Sequence, residues 1–103
     1  MSTIIKLKKL VTAHGEQIDE IELREPTSED VMELGYPYLV YSGDAGAGFE
    51  LRPKVVANYV VRLGKVPLPT VKALAIADLQ ACQAVVLGFF GQSADEAQTP
   101  TSS

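Results

Sequence analysis

The chain of 103 residues has a single cysteine and a single histidine. With Cys82 alone, no internal disulfide can form, and a disulfide-framed secreted fold is excluded. His14 stands far from Cys82 in sequence, and the two give no metal-ligand spacing. Basic residues are scarce. Nine Lys and Arg against thirteen Asp and Glu give a formal net charge of −4, which argues against a protein whose main work is gripping phosphate backbones. The opening MSTIIKLKKL lacks the run of about 7–15 apolar residues of a signal peptide, and no apolar run approaches the roughly 20 residues of a membrane span. The expectation is a soluble protein of a reducing cytoplasm.

What is present is an ordinary globular composition, 47% hydrophobic and 21% charged, at a length that suits one domain with a modest core. Residues 1–91 are expected to form that domain. The polar segment QSADEAQTPTSS (92–103) has few bulky side chains and is expected to be disordered. The acids are uneven. Glu16, Asp19, Glu20, Glu22, Glu25, Glu29, Asp30 and Glu33 cluster with only Arg24 among them, which reads as a solvated face or as a patch that meets a basic partner.

Periodicity divides the chain at Pro26. In IIKLKKLV (4–11) and IDEIELR (18–24) apolar and charged residues alternate, the sign of half-buried antiparallel strands, and TAHGE between them suits a turn. Placing Leu7 opposite Ile21, Lys6 opposite Glu22 and Lys8 opposite Glu20 matches apolar faces and pairs outward charges. Pro26 then removes a backbone donor and biases Glu25 away from helix. Thr27 is a helix cap with Asp30 as its capping-box partner, so ELREPTSED switches strand to a helix over 28–35 that stops at Gly35. YPYLVY (36–41) and FELR (49–52) flank the Gly-rich SGDAGAG and suggest a second, looser hairpin. PKVVANYVVRLG (53–64) is the clearest helix, with Val55, Val56, Tyr59, Val60 and Leu63 on one stripe and Gly64 as terminator. Thr70 can cap a brief helix, VKAL, and Asp78 starts a last helix to Phe90. The fold class is therefore α+β: an N-terminal antiparallel hairpin, with a second looser one, against three to four short helices.

No residue set carries catalysis. His14 reads as a turn residue and Cys82 as a small hydrophobe on an apolar stripe. GDAGAG lacks the Lys and the spacing of phosphate-binding loops. Acid pairs such as Glu29/Asp30 fall on expected surface, with nothing apolar to raise a pKa. Tyr36, Tyr38 and Tyr41 have no basic companions for base stacking and suit packing. Neither a cofactor nor a metal site is expected, and no enzyme. The last helix offers the one competing functional reading, because Leu79 to Ala94 contains no charged residue. It either fills the core or forms a self- or partner-binding surface. With Leu79, Cys82, Val85, Val86 and Phe89 facing inward, Ala84, Leu87 and Phe90 would make an outward apolar patch.

The ordered set LREPT, VANYV and VVLGFF, with the hairpin before it and a Pro-containing linker within it, resembles the small tail assembly chaperones of contractile-tailed phages and prophages over residues 4–91. That resemblance implies a non-catalytic protein of the bacterial host cytoplasm, absent from the finished particle. It implies binding to the long tape-measure protein, which such chaperones keep soluble while tail tube subunits polymerise around it. It further implies self-association and a longer frameshifted form of the same chain as partners, with neither nucleic acid nor membrane involved. The alternative is a small structural component of the tail, a completion or connector protein.

Overall fold

A computed structural model describes residues 2–43 and 46–91. The polar segment 92–103 and the centre of the Gly-rich loop, Asp44–Ala45, lie outside the described residues. The chain opens with two long strands, β1 (Ser2–Ala13) and β2 (Glu16–Arg24), which form an antiparallel hairpin. His14 and Gly15 are its two-residue turn, both at positive φ (53° and 82°), the type I′ geometry whose twist matches that of the flanking strands.

The tight turn and an irregularity in β1 together set a register different from the expected one. Ile5, not Leu7, lies opposite Ile21, and Lys6 lies opposite Glu20, not Glu22. Lys6 and Glu20 form an exposed ion pair at 2.8 Å. Beyond Lys6 the ladder is interrupted, and pairing resumes at Val11 opposite Ile18. Three more residues pass on β1 than on β2 across this interval, so β1 bulges and Lys8 takes no place opposite Glu20. Alternation alone could not reveal this, because KLKK and LV look continuous while the strand between them bulges.

The switch at Pro26 forms as expected. Helix α1 (Ser28–Leu34) has Thr27 at its N-cap and a complete capping box. Thr27 Oγ1 accepts from the Asp30 backbone N–H at 3.3 Å, and Asp30 Oδ2 accepts from the Thr27 N–H at 2.8 Å. Gly35 ends the helix at φ 82°. Next comes a second antiparallel hairpin, β3 (Tyr38–Gly43) with β4 (Gly46–Leu51), as a separate two-stranded sheet. The strands run well into the Gly-rich segment read as loop, leaving a connection of two residues.

Three helices follow: α2 (Pro53–Gly64), α3 (Leu68–Lys72) and α4 (Ile76–Phe89). Pro53 starts α2 and Val56, Tyr59, Val60 and Leu63 are buried, with Val55 half-buried. Gly64 does not itself break this helix. It is the last helical residue, and Lys65 takes the left-handed cap at φ 55°. Thr70 lies inside α3, not at its start; its hydroxyl donates to the Thr12 carbonyl and ties α3 to β1. Helix α4 begins two residues earlier than expected, with Ala75 as N-cap.

One face of the β1–β2 hairpin is the floor of the core. Ile5, Val11 and Ala13 from β1 and Ile21 and Leu23 from β2 meet the buried side of α2, Val66, Val71, Leu74, and Cys82 and Val86 of α4. Helix α2 lies on β2, α4 on β1 and α1 on α2. The hairpin thus carries the three-residue bulge directly beneath α4, and α1 is held at the rim.

Candidate functional site

The acidic segment that looked like a solvated face has a buried member. Asp30 is 1% exposed, contrary to its expected surface position. Its carboxylate accepts from Arg24 Nη1 at 2.8 Å, from Arg62 Nε of α2, and from the Thr27 backbone and hydroxyl at 2.8 and 3.1 Å. Arg62 also pairs with Glu33. The Arg24 guanidinium, then the hydrogen bonds from Thr27 and Arg62, hold the Asp30 carboxyl well below the usual carboxylate range against the opposing effect of burial. The capping-box pattern marks Asp30 as the partner of Thr27, but its burial rests also on Arg62, thirty-two positions away, which no local pattern reveals. The cluster joins β2, α1 and α2.

The far end of α1 is anchored as well. Tyr59, fully buried on α2, donates its hydroxyl to the Gly35 carbonyl at 2.6 Å. Burial first, then the nearby Asp30 charge, raises the Tyr59 pKa and keeps the hydroxyl a donor. The Phe90 ring stands edge-on to Tyr59, Tyr36 and Tyr38, with centroids 5.6, 5.8 and 6.2 Å apart. Such edge-to-face contacts suit the ring quadrupoles. Phe90 therefore does not point wholly away from the domain, as the stripe assignment had it. It is half-buried against the core because the last turn of α4 reaches Tyr59. Leu87 is half-buried and Ala84 exposed.

Between α1 and this aromatic cluster lies a groove of about 410 Å³. Val31 and Met32 form one wall, Tyr36 the end, Phe89 and Phe90 the other wall, and Pro26 to Ser28 the lip. Met32 is 79% exposed and Tyr36 53%. Of the three residues expected to bind a partner, Phe90 lines the groove, whereas Ala84 and Leu87 do not. Sequence reasoning missed Met32 and Tyr36, although the exposed position of Met32 on the short helix was a usable signal. Glu25 and Glu29, exposed beside the lip, add negative charge to this end. A second groove, of about 510 Å³, runs between β2 and the end of α2. It is edged by the charged side chains of Glu16, Glu20, Glu22, Arg24 and Lys65, whereas no charged residue among those described lines the groove beside α1.

The other candidates stay structural. Cys82 is fully buried, and burial with the nearby Asp78 pushes its thiol up to about 11. His14 bonds through Nε2 to the Lys65 carbonyl at 2.9 Å, fastening the hairpin turn to the end of α2. Among the described residues no group of three or more His, Cys, Asp or Glu could hold a metal ion, and no helix is long and apolar enough to cross a membrane.

The family model described as phage tail assembly chaperone proteins, E, or 41 or 14, matches residues 4–91, from within β1 to just past the end of α4. Neither a curated protein nor a solved structure matches the chain.

Proposed function

Because the chain belongs to the phage tail assembly chaperone family, we propose that it acts without catalysis in the host cytoplasm, binding the tape-measure protein and keeping it soluble while the tail tube assembles. The observation that carries this reading is the apolar groove between α1 and the end of α4. A tape-measure protein is long and largely helical, and an amphipathic helix lays its apolar side chains into such a groove. Met32 is well suited to this work: an unbranched thioether adapts to differing side chains, so one groove can accept successive apolar positions along a long partner. Phe89 and Phe90 supply rigid aromatic anchors. Leu87 and Ala84, three and six residues before Phe90, extend the contact along α4. Glu25 and Glu29 favour segments whose apolar stripe is flanked by Lys or Arg.

The test is co-expression with the tape-measure protein of the same genome, with the soluble fraction of that protein measured. Met32→Glu combined with Tyr36→Ser alters two exposed side chains, so the fold should persist. The soluble tape-measure fraction should fall several-fold. Undiminished solubilisation by a folded double variant would move the binding surface elsewhere. Recovery of the chain from purified particles would favour a structural part of the tail instead.

A further inference from the structure

The β3–β4 hairpin has no third strand among the described residues. Leu39 and Val40 are adjacent in β3, so they project from opposite faces, and they are 50% and 69% exposed. Neither face is fully covered there. A two-stranded hairpin alone is marginal in water, and three or more strands are the usual remedy.

The hydrogen-bond parity shows which backbone groups are open. The Arg52 N–H donates to the Pro37 carbonyl at 2.9 Å, and these two residues continue the register that pairs Tyr38 with Leu51 and Leu39 with Glu50. Hydrogen-bonded pairs alternate along an antiparallel ladder. Leu39, Tyr41 and Gly43 therefore turn their N–H and C=O toward β4, and Val40 turns both toward the outer edge. The ladder has no shift from Tyr38 to Gly43.

Natural edge strands carry devices against pairing: Lys, Pro, bulges or a covering element. Strand β1 has three of these. Lys6, Lys8 and Lys9 lie along it, it bulges, and α4 lies against it. Strand β3, YLVYSG, has no charge, no proline and no bulge. The opposite edge suits pairing less, because β4 starts Gly-Ala-Gly, weak strand formers, with Gly46 at φ 113°.

We infer that β3 pairs antiparallel with β3 of a second copy of this chain about a two-fold axis at Val40, giving a four-stranded sheet in the order β4-β3-β3-β4. In that register the two Val40 residues exchange N–H···O bonds in both directions. A two-fold contact sets each surface against itself. The acidic segment 16–33 would repel its copy, whereas β3 brings no charge to face its like. The pairing uses none of the groove residues, so it is independent of tape-measure binding.

Val40→Pro tests this directly. Proline removes only the outward N–H at this position and leaves the β3–β4 ladder intact, which is why proline is tolerated on edge strands. Sedimentation of the wild-type chain should show a dimer that dissociates on dilution, and Val40→Pro should sediment as a monomer with an unchanged far-UV circular dichroism spectrum. It should still solubilise the tape-measure protein. Val40→Cys is the complementary variant. Residues directly opposite in a hydrogen-bonded pair have Cα atoms about 5.5 Å apart, within disulfide reach, and Cys82 is buried. Mild oxidation should give a covalent dimer through position 40. A wild-type chain that is monomeric at every concentration overturns the inference, as does a Val40→Pro chain of wild-type mass. If Val40→Pro fails to fold, absence of the Val40→Cys cross-link overturns it. An edge that takes up only a strand of the tape-measure protein also overturns it.

Discussion

The carboxylate of Asp78, in the first turn of α4, accepts backbone hydrogen bonds from Lys8 at 2.9 and 3.0 Å and from Lys9 at 3.1 Å, some seventy residues earlier. These N–H groups lie in the β1 bulge, where β2 offers no opposite residue. Asp78 is 2% exposed, so it satisfies donors that water would not reach. The last helix and the first strand are thereby joined at one point.

Asp78→Ala should destabilise the protein by roughly 1.5–3 kcal/mol, the scale of hydrogen bonds to a charged acceptor and of leaving buried donors unmade. Urea denaturation monitored by circular dichroism reads this. Asp78→Asn keeps one acceptor and should lose less. Equal stability for Asp78→Ala and the wild type would mean that water caps the bulge.

Asp30 should make stability depend on acid. Its folded pKa lies below its unfolded one, so the charged form favours folding. Its contribution is complete above about pH 5, and it is lost as pH falls through the ordinary carboxylate value near 4 toward the lower folded one. The wild-type denaturation midpoint should fall between pH 5 and 2 more steeply than that of Asp30→Asn. Parallel pH profiles for the two proteins would show that the Arg24–Asp30–Arg62 cluster contributes nothing by ionisation.

Gly64 should resist the usual helix-stabilising change. Glycine to alanine inside a helix ordinarily adds about 1 kcal/mol. Here an added Cβ would stand 3.0 Å from Ile21 Cγ2 and 3.0 Å from Leu23 Cδ2, both buried side chains with little room to withdraw. Overpacking of a core costs about 1–3 kcal/mol. The melting temperature of Gly64→Ala should be at or below that of the wild type, and a rise of several degrees would show that β2 can yield.

Cys82 should report opening of the core. Buried and with its thiol pushed up to about 11, it should stay unmodified by iodoacetamide at pH 8 in the native protein and react at once in urea, since the thiolate is the nucleophile. Rapid native labelling would mean that α4 separates from the hairpin far below the global unfolding transition.

Much of this protein was legible in its residues. Alternation around His14-Gly15 specified the first hairpin, Pro26-Thr27 with Asp30 specified the change to helix, and the stripe from Val56 to Leu63 specified the buried side of α2. Each is a local matter, in which a residue's near neighbours decide its backbone conformation. The β1–β2 register escaped because a bulge leaves no trace in alternation, and Asp78, which stabilises it, comes from the other end of the chain. The burial of Asp30 depends on Arg62, thirty-two positions away. The inward turn of Phe90 depends on Tyr59 and on where α4 ends. The sequence by itself therefore determined most of the elements and the faces that the best of them bury. Only the tertiary structure decided which charges are buried, which backbone edges stay open and where apolar side chains gather into a groove, because these depend on contacts between segments that no local pattern encodes.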